Sequence, residues 1–273
     1  MKMRFIGAAF CLLAAWLPAL ACTNMIVGKK ASLDGSVMVT YNDDAGSKFG
    51  REKGYFNGKA YFSERPIATQ QTAFALVAQL RSWLPDDLGG LMWFGADDPA
   101  MIAYTPVYCC TNQIPEAYTK KVGDTSHFSM KSAYWLSNVI SNIVYNRWSI
   151  LIGDLQIAQK ELDDYYEADQ QEIEKKAIDM NPNERRLWLT GMTDTYCQKM
   201  MDRWTELFGY LSIKYNDFAV RKEKAYSEFE TISDEKCRTT RISYPQYFLD
   251  AVAHETGDRY VRKAATHESQ GDR

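Results

Sequence analysis

Ala133, Leu136, Ile140, Val144, Trp148, Leu151 and Leu155 recur at intervals of three or four residues. That spacing puts them on one face of a long helix, with Ser129 placed to cap it. A charged stretch from Lys160 to Lys176 continues or follows this helix. Next, Asn181-Pro182-Asn183-Glu184 supplies an N-cap, a proline at the first helical position and an acidic residue at the third. Tyr196, Met200, Trp204, Leu207, Leu211 and Tyr215 then follow at helical spacing, and these stripes read as core rather than as a cofactor site.

The first third of the chain has a different period. Asn24 to Gly28 and Val37 to Tyr41 are short β-branched runs, and Asp34-Gly35 between them is a turn pair, which predicts a β-hairpin. Asp43 to Lys59 is rich in Gly, Lys, Asp and Ser and reads as loop. Ala73 to Leu80 reads as a buried strand ending in the turn signature Leu84-Pro85-Asp86-Asp87. Leu91 to Gly95 and Ile102 to Cys109 are further strands, punctuated by Gly89-Gly90 and Asp97-Asp98-Pro99. The expected class is therefore α+β, β-rich first and helical second. From Thr239 the chain carries Tyr244-Pro245 and a short amphipathic piece, and residues 263–273 are polar enough to be expected as a disordered tail.

The first residues have the order that export requires. Lys2 and Arg4 precede an apolar run from Phe5 to Leu17, and Ala19-Leu20-Ala21 forms a small-residue cleavage signal. Read as a membrane helix, the run falls short of the roughly 20 apolar residues a span needs, because it meets Pro18, Thr23 and Asn24. A lipoprotein signal also places a cysteine after the cut, but its usual Leu three residues earlier is Ala19 here. The expectation is a signal peptide over 1–21, Cys22 as the first mature residue, and a periplasmic or extracellular protein with no later membrane span. The net charge of −3 gives no basic surface for nucleic acid. Cys22, Cys109, Cys110, Cys197 and Cys237 remain after cleavage. Either one is unpaired and the other four pair in one of three ways, or the later four are buried thiols.

A cysteine at a new N-terminus carries its own base. The α-amine has an unperturbed pKa of about 8 and the thiol about 8.5, so roughly a tenth of the amine is free at neutral pH to take the thiol proton. What such a residue still needs is an oxyanion donor set and a group that orients the amine.

The run Cys22-Thr23-Asn24-Met25-Ile26-Val27-Gly28-Lys29-Lys30-Ala31-Ser32-Leu33-Asp34-Gly35-Ser36 resembles the mature start of the dipeptidase A and secernin family of N-terminal-nucleophile cysteine peptidases. The resemblance continues through Tyr41-Asn42-Asp43-Asp44, Gly50 to Phe56, Glu64 to Thr72 and Arg81 to Gly95, and more loosely over Ser132 to Leu162. It implies an exported cysteine dipeptidase acting on short peptides without a cofactor. Cys22 would be the nucleophile, Asp44 (a better match than Asp43) the nearby carboxylate, and Asn42 would stand beside it. Arg65 and Arg81 are the arginines available for a substrate carboxylate, the other reading of each being an ordinary structural ion pair. Family members are considerably longer, and the stretches that normally lie between Asp44 and Gly50 and between Gly58 and Ser63 are missing here. The implied fold is thus a reduced N-terminal-nucleophile hydrolase, one α+β domain over 22–262 with a truncated catalytic sandwich. The alternatives are a degenerate, non-catalytic homologue and a lipid-anchored binding module.

Other chemistry has little support. His127, His254 and His267 are the only histidines, and none has a zinc-site spacing, so no metal is expected. A dyad of Cys22 with His127 or His254 has no local signature. There is no Gly-x-Ser-x-Gly elbow or phosphate loop. The doublets Asp43-Asp44, Asp86-Asp87 and Asp97-Asp98 read as turn and cap residues, with Asp44 set apart by the resemblance.

Overall fold

The computed structural model describes residues 22–44, 53–56, 59–62, 68–230, 239–241, 244 and 246–261. Residues 1–21, expected as a signal peptide, Arg65, Cys237, His267 and the expected tail 263–273 lie outside the described residues. The chain forms two compact units, 1–211 and 212–273.

In the first unit, β1 (Cys22–Val27), β2 (Val37–Asp44), β5 (Thr72–Leu80), β6 (Gly90–Ala96) and β7 (Thr105–Tyr108) form an antiparallel sheet in the order β1-β2-β5-β6-β7. The predicted first hairpin is present, and its turn shows why the pairing is fixed. Gly35 has φ +77°, a conformation that favours glycine, while Asp34 Oδ1 accepts from the Ser36 N–H at 2.9 Å and Ser32 Oγ donates to the Ser36 carbonyl at 2.7 Å. The Ser36 N–H also holds the Asp34 carboxyl below its usual range.

The loop expected from Asp43 to Lys59 is corrected. Strand β2 runs on to Asp44, and β3 (Lys53–Phe56) and β4 (Lys59–Phe62) form a separate two-stranded hairpin. Asn57-Gly58 between them is a strong hairpin dipeptide that the surrounding Lys, Gly and Asp residues obscured. The strand expected over Ile102 to Cys109 is shorter, because Ile102 and Ala103 are buried in a turn that precedes β7. The Leu84-Pro85-Asp86-Asp87 turn opens a single helical turn, α1 (Asp86–Gly89).

The long helix expected from Ala133 is two helices. α2 (Ala133–Asn146) follows Ser132, not Ser129, and α3 (Trp148–Ile178) begins after a break at Arg147, whose φ −149° and ψ 56° are not helical. Leu136, Ile140 and Val144 are buried on α2, and Leu151, Leu155, Leu162 and Tyr166 on α3. Trp148 is turned out and 41% exposed. Each buried Leu or Ile contributes about 1.5–3 kcal/mol of burial free energy, which holds both helices in place despite the break.

The acidic-basic segment 160–176 continues α3, as one of the two sequence readings has it. The predicted cap at Asn181 is present: its Oδ1 accepts from the N–H groups of Asn183 and Glu184, both at 3.1 Å, and α4 (Pro182–Lys214) follows. Tyr196, Met200, Trp204, Leu207 and Leu211 are buried as expected, whereas Tyr215 lies beyond the helix end. The α3–α4 corner is held by one side chain. Arg185 donates through Nε to the Ala177 carbonyl (2.7 Å) and through Nη2 to the Ile178 and Met180 carbonyls (3.0 and 2.8 Å), while Nη1 pairs with Asp87 on α1 at 2.5 Å. It thereby caps the carbonyls at this helix end, of which Ala177 also accepts from the Met180 N–H at 3.2 Å.

In the second unit, β8 (Ala219–Arg221) pairs with β11 (Thr239–Arg241), β9 (Glu223–Ala225) pairs with β10 (Glu228–Phe229), and α5 (Gln246–Thr256) is the amphipathic piece expected near the end.

Candidate active site

Cys22 is the first residue of β1, an edge strand. Register places it directly opposite Asp43, with Thr23 opposite Asn42. A shift in register between Asp43 and Asp44 then sets Asp44 opposite Thr72 on β5. The fold thus gathers Cys22, Asn42 and Asp44 at one end of the sheet, and the backbone neighbour of Cys22 is Asp43 rather than Asp44. On β5 this end carries Thr72, whose hydroxyl lies 3.5 Å from that of Thr69, with both residues buried.

Arg81 is not at this end. Cys22 aligns through Asp43 with Phe74, and Arg81 lies seven residues further along the chain, about 23 Å away at about 3.3 Å per strand residue. Its guanidinium is buried and committed, with Nη1 on Glu174 Oε1 at 2.6 Å and Nη2 on the Leu88 carbonyl at 2.8 Å. A dipeptide at Cys22 is out of its reach. The ordinary ion pair, one of the two sequence readings of this residue, is what the structure contains.

The same end of the sheet holds two residues whose role the sequence did not reveal. Asp97 and Asp98, read as turn punctuation, are both fully buried. Asp97 follows β6 with φ +101°, a strained value for a residue with a side chain. Its N–H donates to the Ala73 carbonyl at 2.8 Å, and its Oδ1 accepts from Asn138 Nδ2 at 2.9 Å. Burial pushes its carboxyl up to about 6 against the pull of the Asn138 hydrogen bond, and the neighbouring Asp98 adds to the rise. Asp98 accepts from Tyr145 Oη at 2.5 Å and from the Ala100 N–H at 2.9 Å, so the turn role expected for it is present alongside a tie to α2. Ala96 aligns across the sheet with Phe74, Asp43 and Cys22, which puts Asp97 about 14 Å from Cys22, three strand spacings away. Asp97 and Asp98 fix the end of β6 against α2 and do not reach the cysteine.

The other described thiols are poorly placed for nucleophilic work. Cys109, Cys110 and Cys197 are free, and burial pushes all three up, Cys197 to about 12. His127 is exposed, with Nδ1 2.8 Å from Asp124 Oδ1, and His254 lies on α5 in the second unit. Among the described residues no three His, Cys, Asp or Glu side chains gather to hold a metal ion, and no helix is long and apolar enough to cross a membrane.

The chain belongs to peptidase family C69, whose family model matches residues 21–57 and 49–161, together just over half of the sequence. The two pieces overlap at 49–57, beside the first stretch expected to be missing. Among curated proteins, the chain is 30% identical over 94 residues to a probable dipeptidase B of Streptococcus pyogenes serotype M1, covering 34% of this chain and 18% of that one. It is 34% identical over 68 residues to a dipeptidase of Bifidobacterium longum (strain NCC 2705), covering 25% and 12%. A probable dipeptidase of Latilactobacillus sakei is 26% identical over 84 residues, covering 31% and 17%. The matched stretches thus span 12 to 18% of the length of these relatives.

Proposed function

We propose that this chain is an exported cysteine dipeptidase whose nucleophile is created when the leader is cut after Ala21. The observation that carries the reading is that the family match begins at residue 21, one residue before a cysteine that heads β1. The dipeptidase names of the three relatives support dipeptides as substrates.

In this reading the freed α-amine of Cys22 takes the thiol proton and Sγ attacks the peptide carbonyl. The amine returns the proton to the leaving amino acid, and water releases the acyl group from the thioester. Asn42 and Asp44 lie near Cys22 in the backbone register and are the residues to orient the amine. Arg65 is left to pair with the substrate carboxylate, since Arg81 is at the other end of the sheet. The five-stranded sheet would be one half of an N-terminal-nucleophile sandwich, and the protein would act in the periplasm or outside the cell.

The test is to express the chain with its leader, determine the mature N-terminus by mass spectrometry and assay dipeptide hydrolysis. A Cys22 terminus with turnover that Cys22→Ala abolishes supports the reading, and a cleaved protein without turnover refutes it. The short span of the relatives favours a second reading, a non-catalytic homologue. In that case Cys22→Ala changes neither hydrolysis nor stability beyond the roughly 0.5 kcal/mol of a surface substitution. An acylated Cys22 amine, visible in the same mass measurement, would instead identify a lipid-anchored module.

A further inference from the structure

The helices pack on one face of the five-stranded sheet, where Ala75, Leu91 and Tyr108 are buried and Tyr108 Oη donates to Glu174 on α3 at 3.2 Å. On the other face, register places Ile26, Val39, Ala78, Met92 and Val107 in a single row across all five strands. No residue of this row is buried, and Ile26 is 73% exposed. Val37, Leu76 and Leu80 flank the row on the same face, none of them buried and Leu80 48% exposed.

These eight side chains are all aliphatic or methionine. An antiparallel sheet with one solvated face alternates apolar inward and polar outward, whereas strands covered on both faces are apolar throughout. β5 is apolar on its open side, with Leu76, Ala78 and Leu80, and carries its polar residue, Gln79, on the helix side. The open face therefore has the composition of a buried one. Tyr118, edge-on to Phe94 with ring centroids 5.0 Å apart, covers one corner of it. The β3–β4 hairpin, with four residues in each strand, is too small to cover the rest.

We infer that two copies of this chain pack these faces against each other, as a two-fold dimer whose sheets lie about 10 Å apart. The area is sufficient. Five strands about 4.8 Å apart, with eight, nine and seven residues on β2, β5 and β6, make a face of roughly 24 by 25 Å. With the corner under Tyr118 taken off, pairing two such faces removes on the order of 1,000 Å² from water, the size at which a specific interface begins. The chemistry also selects a second copy. The row carries no charge to recognise an acidic or basic partner, and a net charge of −3 does not draw the chain to an anionic lipid surface. An identical aliphatic row meets it with no charge to desolvate and no like-charge repulsion. The pairing does not depend on the peptidase reading.

Sedimentation equilibrium of the chain, expressed with its leader and used as purified, tests this over about 1 to 100 μM. A monomer–dimer equilibrium is expected in that range, not weakened by salt. Ile26→Glu and Leu80→Glu, both at exposed positions, should each raise the dimer dissociation constant at least about tenfold without altering the melting curve of the dilute protein. Val39→Thr keeps the side-chain volume and tests the centre of the row even where a glutamate variant misfolds; it should weaken the dimer severalfold. Leu187→Glu, at a 66% exposed position on α4, and Cys22→Ala should leave association unchanged. A monomer at every concentration would overturn the inference. So would association indifferent to the Ile26, Leu80 and Val39 substitutions, or weakened equally by Leu187→Glu.

Discussion

Replacing Asp97 with asparagine isolates the cost of burying a carboxylate at the end of β6. With its pKa raised from 3.8 to about 6 in the folded chain, Asp97 binds its proton more tightly when folded than when unfolded. Folding stability from this residue is therefore full below about pH 4, falls as pH rises through about 6, and stays reduced above that. A shift of about two units corresponds to roughly 3 kcal/mol at neutral pH. Asparagine keeps an oxygen for Asn138, tolerates positive φ and cannot ionise. Its amide adds buried donors, which offset about 1–2 kcal/mol if they find no acceptor. The net expectation is a gain of about 1–3 kcal/mol at pH 7.5 and no gain, or a loss of up to about 2 kcal/mol, at pH 4. In a unit of this size that is about 2–4 °C in Tm per kcal/mol. Urea unfolding of both proteins across pH 4 to 8 measures it, since the difference between them cancels the other titrating groups. A difference that does not change with pH would refute the reasoning.

Gly95→Ala places a Cβ 2.4 Å from Ile102 Cδ1 and 2.9 Å from its Cγ1, so it should cost about 1–3 kcal/mol in urea unfolding. Adding Ile102→Val should recover much of the loss, and simple additivity of the two costs would show that the clash is not the cause. Arg185→Met strands Asp87 and the Ile178 and Met180 carbonyls, while Ala177 keeps the Met180 N–H, and should cost about 3–5 kcal/mol, read from the shift in urea midpoint. A loss below about 1 kcal/mol would mean that water replaces the guanidinium. Cys197, buried with its thiol pushed up to about 12, should resist iodoacetamide at pH 8 until the chain unfolds; rapid labelling of the native protein, located by peptide mass mapping, would contradict its burial.

The parts of the fold governed by local chemistry were legible in the sequence. Asp34-Gly35 specifies the first turn, Asn181 caps α4, and the stripe from Tyr196 to Leu211 is buried where its period puts it. The break at Arg147 was not legible, because no Gly or Pro marks it and the apolar spacing runs through it unbroken. Long-range partners were equally hidden. Arg81 meets Glu174 and Arg185 meets Asp87 across more than ninety residues of chain. Around the candidate site, the sequence offered Cys22 with Asn42 and Asp44, which the register does bring together. It also offered Arg81, which belongs elsewhere. The burial of Asp97 depends on how α2 packs, and its positive φ leaves no mark in the residue type.

The Arg185 clamp separates two properties that usually go together at a loop. Residues 181–184 at the α3–α4 corner are exposed, as a protease site should be. To enter a protease cleft, however, the corner must first pull its carbonyls off a guanidinium that is itself anchored to α1. Opening there is tied to loss of the α1 contact rather than to local fraying. Amide exchange at this corner should accordingly be as slow as that of the helices it joins, and limited digestion of the native chain should spare it.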